Sequence, residues 1–254
     1  LNPKINENPY LDNQLKQLEM QFNATKQRLG NKFGTKKFIV YFQSFTNTYA
    51  PISTLKALYE KALSFDNVIG LSIGTRTDCV TEEILDYLVD LSKTKEIWVE
   101  YGIQSFYDET LVRVNRGDSV SNMKHWIKRT KEKGLNVCGH LIYGLPDETQ
   151  EMMLDTFRQT VELNVDSIKF HPLYVVENTL LTNEFKKGKF TPISEELYID
   201  TVVKSIVNLP SNISVQRITA GIDDSTLLSP EWCRDKHTQM KNIRLALEKE
   251  GFNY

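Results

Sequence analysis

Short apolar, β-branched or aromatic runs alternate with segments of helical periodicity along almost the whole chain, and this alternation constrains the fold more than any other feature. The runs read KFIVYF at 37–42, NVIGLSI at 67–73, EIWVEYGI at 96–103, NVCGHLIYG at 136–144, DSIKFHPL at 166–173 and ISVQRI at 213–218. Their apolar residues are continuous rather than alternating, which suits strands covered on both faces. Helix-period segments lie between and around them, at 11–29, 52–63, 81–93, 120–133, 148–163, 194–207 and 235–250. Ser53, Thr81, Ser121 and Asp147 are the expected capping residues. Strand starts recur about every 30 residues, with longer gaps before the fourth and sixth, and that period predicts right-handed parallel βαβ units. The residues alone leave a single (β/α) barrel and an open parallel sheet as alternatives.

Nothing in the composition cuts the chain in two. There are no repeats and no Pro/Gly/Ser-rich linker, so one domain is expected over 1–254, with a loop and first helix at 1–35 and a C-terminal extension and helix at 219–254. The first strong element is a helix with no strand before it, and the chain opens on Leu1 and a loop-like LNPKINENPY. The expectation is therefore a processed chain or a fragment whose first strand is missing. With 40% hydrophobic and 25% charged residues, a disordered chain is excluded and a sizeable core is available. A net charge of −2 argues against a globally basic nucleic-acid binder and leaves a local basic face open. No apolar run approaches the roughly 18–20 residues of a membrane span, so no membrane partner is expected. Cys79, Cys138 and Cys233 form neither a disulfide framework nor a zinc spacing, which points to a reducing cytoplasm.

In parallel α/β folds the chemistry sits where strands run into loops at their carboxyl ends. Those stretches read QSFTNTY (43–49), GTRTDC (74–79), YGIQSFYDETLVRVNRG (101–117), HLIYGLPDET (140–149), HPLYVVENT (171–179) and TAGIDD (219–224). Gln43, Thr75, Arg76, Asp78, Glu100, Gln104, Arg116, His140 and His171 all fall near a strand end. A converging polar set from several strands predicts a deep polar pocket.

Two of these stretches carry a resemblance. YGIQSFYDETLVRVNRG resembles the G-V-Q-S … D … L … N-R-G segment of radical S-adenosylmethionine (SAM) enzymes of the Elongator catalytic-subunit and oxygen-independent coproporphyrinogen-oxidase types. HLIYGLPDET resembles the L-I-x-G-L-P-x-x-T segment that follows it in those enzymes, and GTRTDC is similar to the Elongator-type T-R-P-D-x-C, with Thr77 in place of Pro. FQSFTNTYAP, GTRTDC, GHLIYGLP, IKFHPL and LLSPEWC together resemble radical-SAM proteins of the YhcC/YtqA type, from residue 11 to the C-terminus. The resemblance implies a partial (β/α)6 TIM-like barrel that binds SAM and a [4Fe–4S] cluster and draws on an external electron donor. It implies cleavage of SAM to a 5′-deoxyadenosyl radical that takes hydrogen from a substrate, and the Elongator kinship points to a tRNA wobble uridine. Such enzymes hold the cluster with three cysteines in one loop after the first strand. Here the cysteines stand 59 and 95 residues apart (79 to 138 to 233), so no metal ligands are assigned in this chain. The cluster ligands are expected in an absent N-terminal segment, and the chain alone is expected to be inactive.

The same resemblance suggests roles residue by residue. Arg116, in N-R-G, matches the arginine that pairs with the SAM carboxylate, work that suits a guanidinium fork. Gln104 matches a glutamine at the SAM ribose, and Glu100 stands where the Elongator type also has Glu, at the ribose or the SAM ammonium. Gly74 occupies the position of a carboxylate found in other members. His140 replaces an Asp and reaches the ribose or the substrate, while Leu141 to Leu145 offer backbone and apolar contact to the adenine, with Gly144 allowing close approach. Lys169 and His171 alternate onto one face, and His171 is the expected catalytic residue on the substrate side. Gln43 and Asn47 follow the strand whose loop receives the SAM amino group. Structural alternatives stand beside each: Arg76 and Asp78 pair locally, the cysteines fill space, and a lone strand histidine is often a core residue. The basic run KHWIKRTKEK (124–133) is either a phosphate-facing surface or a solvated helix face. Two rival functions remain: a non-catalytic SAM- or nucleotide-binding scaffold, and a metal-free lyase or aldolase using Lys169.

Overall fold

The computed structural model describes residues 10–222 and 225–252. The first nine residues of the expected opening loop, Asp223 and Asp224 of the sixth strand exit, and the last two residues of the C-terminal extension lie outside the described residues. In chain order the elements are α1 (Leu11–Phe33), β1 (Phe38–Phe42), α2 (Ile52–Leu63), β2 (Val68–Thr75), α3 (Glu82–Ser92), β3 (Glu96–Gln104), α4 (Asp108–Arg113), α5 (Val120–Glu132) and β4 (Asn136–Tyr143). They continue with α6 (Gln150–Glu162), β5 (Ser167–Pro172), β6 (Val175–Val176), α7 (Leu180–Lys186), α8 (Glu195–Val207), β7 (Ser214–Arg217), β8 (Leu227–Ser229) and α9 (Lys236–Lys249). The main strands follow the order β1-β2-β3-β4-β5-β7, and β6 pairs antiparallel with β8. No described helix is long and apolar enough to cross a membrane.

The chain forms two compact units: one holds the described residues up to Tyr101 with Arg129–Asn136, the other Gly102–Lys128 with Val137 onward. In the first unit β1 runs parallel to β2, and β2 parallel to β3. Leu71, Ile73, Ile97 and Val99 are fully or almost fully buried along these strands, and Tyr59, Leu85 and Leu88 contribute buried side chains from α2 and α3. Each such side chain contributes about 1.5–3 kcal/mol of hydrophobic stabilisation. Gly70 is there because its strand runs against the Glu96 backbone: a β-carbon would lie 2.0 Å from the Glu96 carbonyl oxygen. Thr81 caps α3 by accepting from the Ile84 amide, with Glu82 and Glu83 in the first turn. Arg129 and Lys133 both bind Glu82, and Lys133 also binds Asp86.

In the second unit β4 and β5 are parallel, as are β5 and β7. Leu141, Tyr143, Ile168 and Phe170 are fully buried on one face of this sheet. Tyr143 meets the rings of Phe170 and Tyr198, and Phe157 of α6 meets Phe170. Alternation therefore turns His140, Ile142, Lys169 and His171 to the other face.

Of the four expected caps only Thr81 holds. α2 follows Pro51 and leaves Ser53 inside its first turn, Ser119 rather than Ser121 accepts from the Asn122 amide, and Thr149 rather than Asp147 caps α6. Asp147 has φ +68 and belongs to the turn before the helix. The helices α4 and α7 and the β6–β8 ribbon went unread because elements of two to seven residues are too short to show a period.

Candidate functional site

The N-R-G turn shows how a local sequence aims a side chain. Asn115 (φ +53) and Gly117 (φ +67) both take the left-handed conformation, which Asn tolerates and Gly adopts freely. The Arg116 amide donates back to the Leu111 carbonyl at 2.8 Å, closing α4. This reversal sends the Arg116 side chain to β3, where Nη2 donates to the Gly102 carbonyl. Gln104 is placed by a second unusual turn. Its φ is +70, and the Ser105 amide donates across it to the Ile103 carbonyl at 2.9 Å, a γ-turn that a non-glycine residue enters under strain. Both side chains close over Gly102, where a β-carbon would lie 2.9 Å from Gln104 Nε2 and 3.0 Å from Arg116 Nη2. Glycine at 102 is thus what lets the two motif residues meet.

Beside them an open pocket of about 200 Å³ is lined by Gln104, His140, Ile142, His171, Leu173 and Tyr174, with Pro172. The His140 and His171 rings stack 5.3 Å apart at 24°. Burial, with Cys233 nearby, holds the Tyr174 phenol above its ordinary pKa, and Arg217 pulls it partly back. Gln104, His140, His171 and, within Leu141 to Leu145, Ile142 were legible in the sequence as site residues, whereas Tyr174 was not. Alternation along β4 is the signal that identifies Ile142, since Leu141 is fully buried on the opposite face and offers the pocket only its backbone. Gly144 is explained by packing: its φ is +88, and a β-carbon would lie 2.6 Å from Ile193. Ser105 Oγ donates to Glu148, tying the I-Q-S segment to the P-D-E-T segment, and burial raises the Glu148 pKa against the pull of the Ser105 and Thr110 hydroxyls.

The other candidates lie in the first unit. Gln43 is exposed just after β1. Glu100 is buried and accepts from Ser72 Oγ. Gly74 stands in register with Glu100, and a β-carbon on it would lie 3.1 Å from the Phe42 carbonyl oxygen, against the Tyr41 ring. Asn47 fastens its loop by donating to the carbonyls of Phe42, Ser44 and Gly74, which is a scaffold role. Arg76 and Asp78 form a two-bonded ion pair with each other. The basic run is also largely engaged: Lys124 donates to Gln159 and sits over Phe106, and Arg129 and Lys133 are in the ion pairs described above.

The second-unit set suits a zwitterionic nucleoside such as SAM. A half-buried guanidinium matches a carboxylate, the Gln104 amide matches ribose hydroxyls, and the cleared space over Gly102 brings both to one point. The pocket is smaller than the roughly 300–1,000 Å³ of drug-sized ligand sites, so it takes part of such a molecule. The cysteines do not suit a cluster. Among the described residues no three of them come within 4.8 Å of one another, and burial, with Glu195, pushes the Cys233 thiol up to about 12. A thiol held protonated is a poor iron ligand.

Comparison with known proteins fits this arrangement. Residues 12–160 match the family model described as Radical SAM superfamily, and residues 165–249 match the Radical_SAM C-terminal domain. The chain is 33% identical over 242 residues to protein YtqA of Bacillus subtilis, covering 95% of this chain and 75% of that one. It is 30% identical over 163 residues to a tRNA uridine(34) acetyltransferase of Methanocaldococcus infernus, covering 63% of this chain and 30% of that protein. The solved structure of Elp3 from Methanocaldococcus infernus, lacking its first 46 residues, superposes with a TM-score of 0.78 at 24% identity, over 93% of this chain and 60% of that one. At that identity the likeness shows the fold alone, the partial (β/α)6 TIM-like barrel expected from the sequence.

Proposed function

This chain belongs to the radical SAM superfamily, whose members use SAM and a [4Fe–4S] cluster, and from that footing we propose that its second unit is the SAM-binding half of a radical SAM enzyme. The closure of Gln104 and Arg116 over Gly102, beside the His140–His171 pocket, is the observation that carries this. Arg116 takes the SAM carboxylate and Gln104 the ribose. His140, Gly144 and the Leu141 backbone border the adenosine, and in the first unit Gln43 and Glu100 are the residues proposed for cofactor binding. When bound and reduced by one electron, SAM supplies a carbon radical that removes a hydrogen atom from the substrate. His171 holds or moves a substrate proton at Nδ1 or Nε2, and the pocket walls keep water from the reacting atoms. The cluster ligands come from outside this sequence, so the chain by itself is inactive, and the electron comes from an external donor.

For the substrate we propose a tRNA wobble uridine, on the strength of the likeness to the tRNA uridine(34) acetyltransferase, in a cytoplasmic setting. The test is a longer protein carrying a cluster segment, reconstituted anaerobically with iron and sulfide and reduced with dithionite. 5′-Deoxyadenosine that accumulates from SAM, faster with tRNA present, is the expected result. A preparation holding its cluster that makes none with or without tRNA would refute the enzyme reading. The lack of gathered cysteines favours a second reading, a SAM-binding scaffold, in which SAM binds and no cluster assembles.

A further inference from the structure

A basic turn after α7 has no place in SAM binding as described. The chain there reads FKKGKF, over 185–190. Lys186 ends α7, where a cation complements the helix dipole, but Lys187 and Lys189 lie beyond the helix. The Gly188 amide donates to the Phe185 carbonyl at 2.9 Å and the Lys189 amide to the Glu184 carbonyl at 3.0 Å, the paired bonds of a Schellman cap. Gly188 supplies the left-handed residue that this cap needs (φ +66), and the Phe185 and Phe190 rings meet with centroids 6.2 Å apart. The three lysines therefore leave an ordered reversal of the chain.

That reversal is fixed to the motif segments. Arg113, the last residue of α4 and three before Arg116, binds Glu184 of α7 at 2.6 Å and Asp147 of the L-P-D-E-T segment at 3.1 Å. One guanidinium thus joins the lysine turn to the loops that carry Arg116 and Gly144. Arg113, with Lys189 and Lys187 beyond it, holds the Glu184 carboxyl below its ordinary pKa. Taken with both carboxylates, Arg113 and the three lysines still leave an excess of two positive charges. Lys186, Lys187 and Lys189 are exposed, and none forms a side-chain hydrogen bond or ion pair among the described residues. No acidic residue follows in the sequence until Glu195.

An exposed lysine holds a small anion weakly, because water and salt screen a single contact. A polyanion engages several lysines at once and gains by releasing its counterions. We propose that the 186–189 turn binds the phosphate backbone of an RNA substrate and so holds that RNA beside the SAM pocket. This rests on the reading of the chain as an enzyme acting on RNA, and it adds where the RNA is gripped. Contacts of this kind position a nucleic acid without reading its bases.

The test is fluorescence anisotropy of a labelled tRNA transcript titrated with this chain at several salt concentrations, with SAM titrated separately. Lys186→Gln, Lys187→Gln and Lys189→Gln together are expected to weaken tRNA binding by about 10- to 100-fold at about 0.1 M salt. They are expected to lower the slope of log affinity against log salt by about 2–3, and to leave SAM affinity unchanged. Lys241→Gln, Arg244→Gln and Lys249→Gln together remove as much exposed charge from α9 and are expected to change tRNA binding little. Circular dichroism confirms that both variants are folded. The proposal is overturned if tRNA does not bind, if the 186–189 variant binds it as tightly as the unaltered chain, or if the α9 variant loses as much. Capture of phosphatidylserine vesicles in place of tRNA would reassign the turn to a membrane surface and equally overturn it. Lysine-dependent tRNA binding without SAM binding would uphold this surface while removing the SAM assignment, and SAM binding without tRNA binding would do the reverse.

Discussion

Gly102→Ala isolates the feature on which the site depends. The new methyl group would lie 2.9 Å from Gln104 Nε2, 3.0 Å from Arg116 Nη2 and 3.8 Å from Arg116 Cζ. All three are far ends of flexible side chains, so the strand remains and the two polar groups move off. Alanine is favoured over glycine in a strand by roughly 0.5–1 kcal/mol. Displacing Arg116 from the Gly102 carbonyl gives up a charge-assisted hydrogen bond of about 1.5–3 kcal/mol. The net cost is about 0.5–2.5 kcal/mol, a fall in Tm of a few degrees for a chain of this size. SAM loses the combined placement of guanidinium and amide, and its affinity is expected to fall by about 10- to 100-fold. Thermal unfolding by circular dichroism and SAM titration by calorimetry read the two effects separately. Unchanged SAM affinity in a folded Gly102→Ala protein would show that these side chains do not hold the ligand. A Tm loss above about 10 °C would show that the contact over Gly102 is core packing instead.

Burial raises the Glu148 pKa, so the folded state holds that proton more tightly than the unfolded one, and stability contributed at low pH is lost as pH rises through the raised value. Glu148→Gln is therefore expected to flatten the decline in Tm as pH rises above the ordinary carboxylate range; a slope equal to that of the unaltered protein would contradict the assignment. Phe170→Ala removes a fully buried ring that meets Tyr143 and Phe157, and urea denaturation should show a loss of about 3–5 kcal/mol; a loss below 1 kcal/mol would mean the core is packed elsewhere. Cys79 is half-buried, whereas Cys138 and Cys233 are buried and the Cys233 thiol is pushed up to about 12. Brief alkylation at pH 8 followed by peptide mass spectrometry should mark Cys79 first, and early labelling of Cys233 would count against its protected, protonated state.

The fold was largely legible because buried parallel strands advertise themselves as continuous apolar runs, and all six runs became strands in sequence order. Helix positions were equally plain, but caps were not: a proline before α2 and turns before α5 and α6 moved each cap by two residues. Within the site, Gln104 and Arg116 were named by motif, yet the reason they converge lies in backbone conformations at 104, 115 and 117 that no spacing reveals. At Gly144 the structure adds a packing reason that the sequence did not show: its φ is +88, and a β-carbon would lie 2.6 Å from Ile193.

Titrating SAM into this chain, alone and with Arg116→Ala, tests the central claim most directly. Saturable one-site binding that the substitution weakens by about 10- to 100-fold is the predicted result. No binding to the folded chain, or binding that Arg116→Ala leaves unchanged, would contradict the placement of SAM over Gly102.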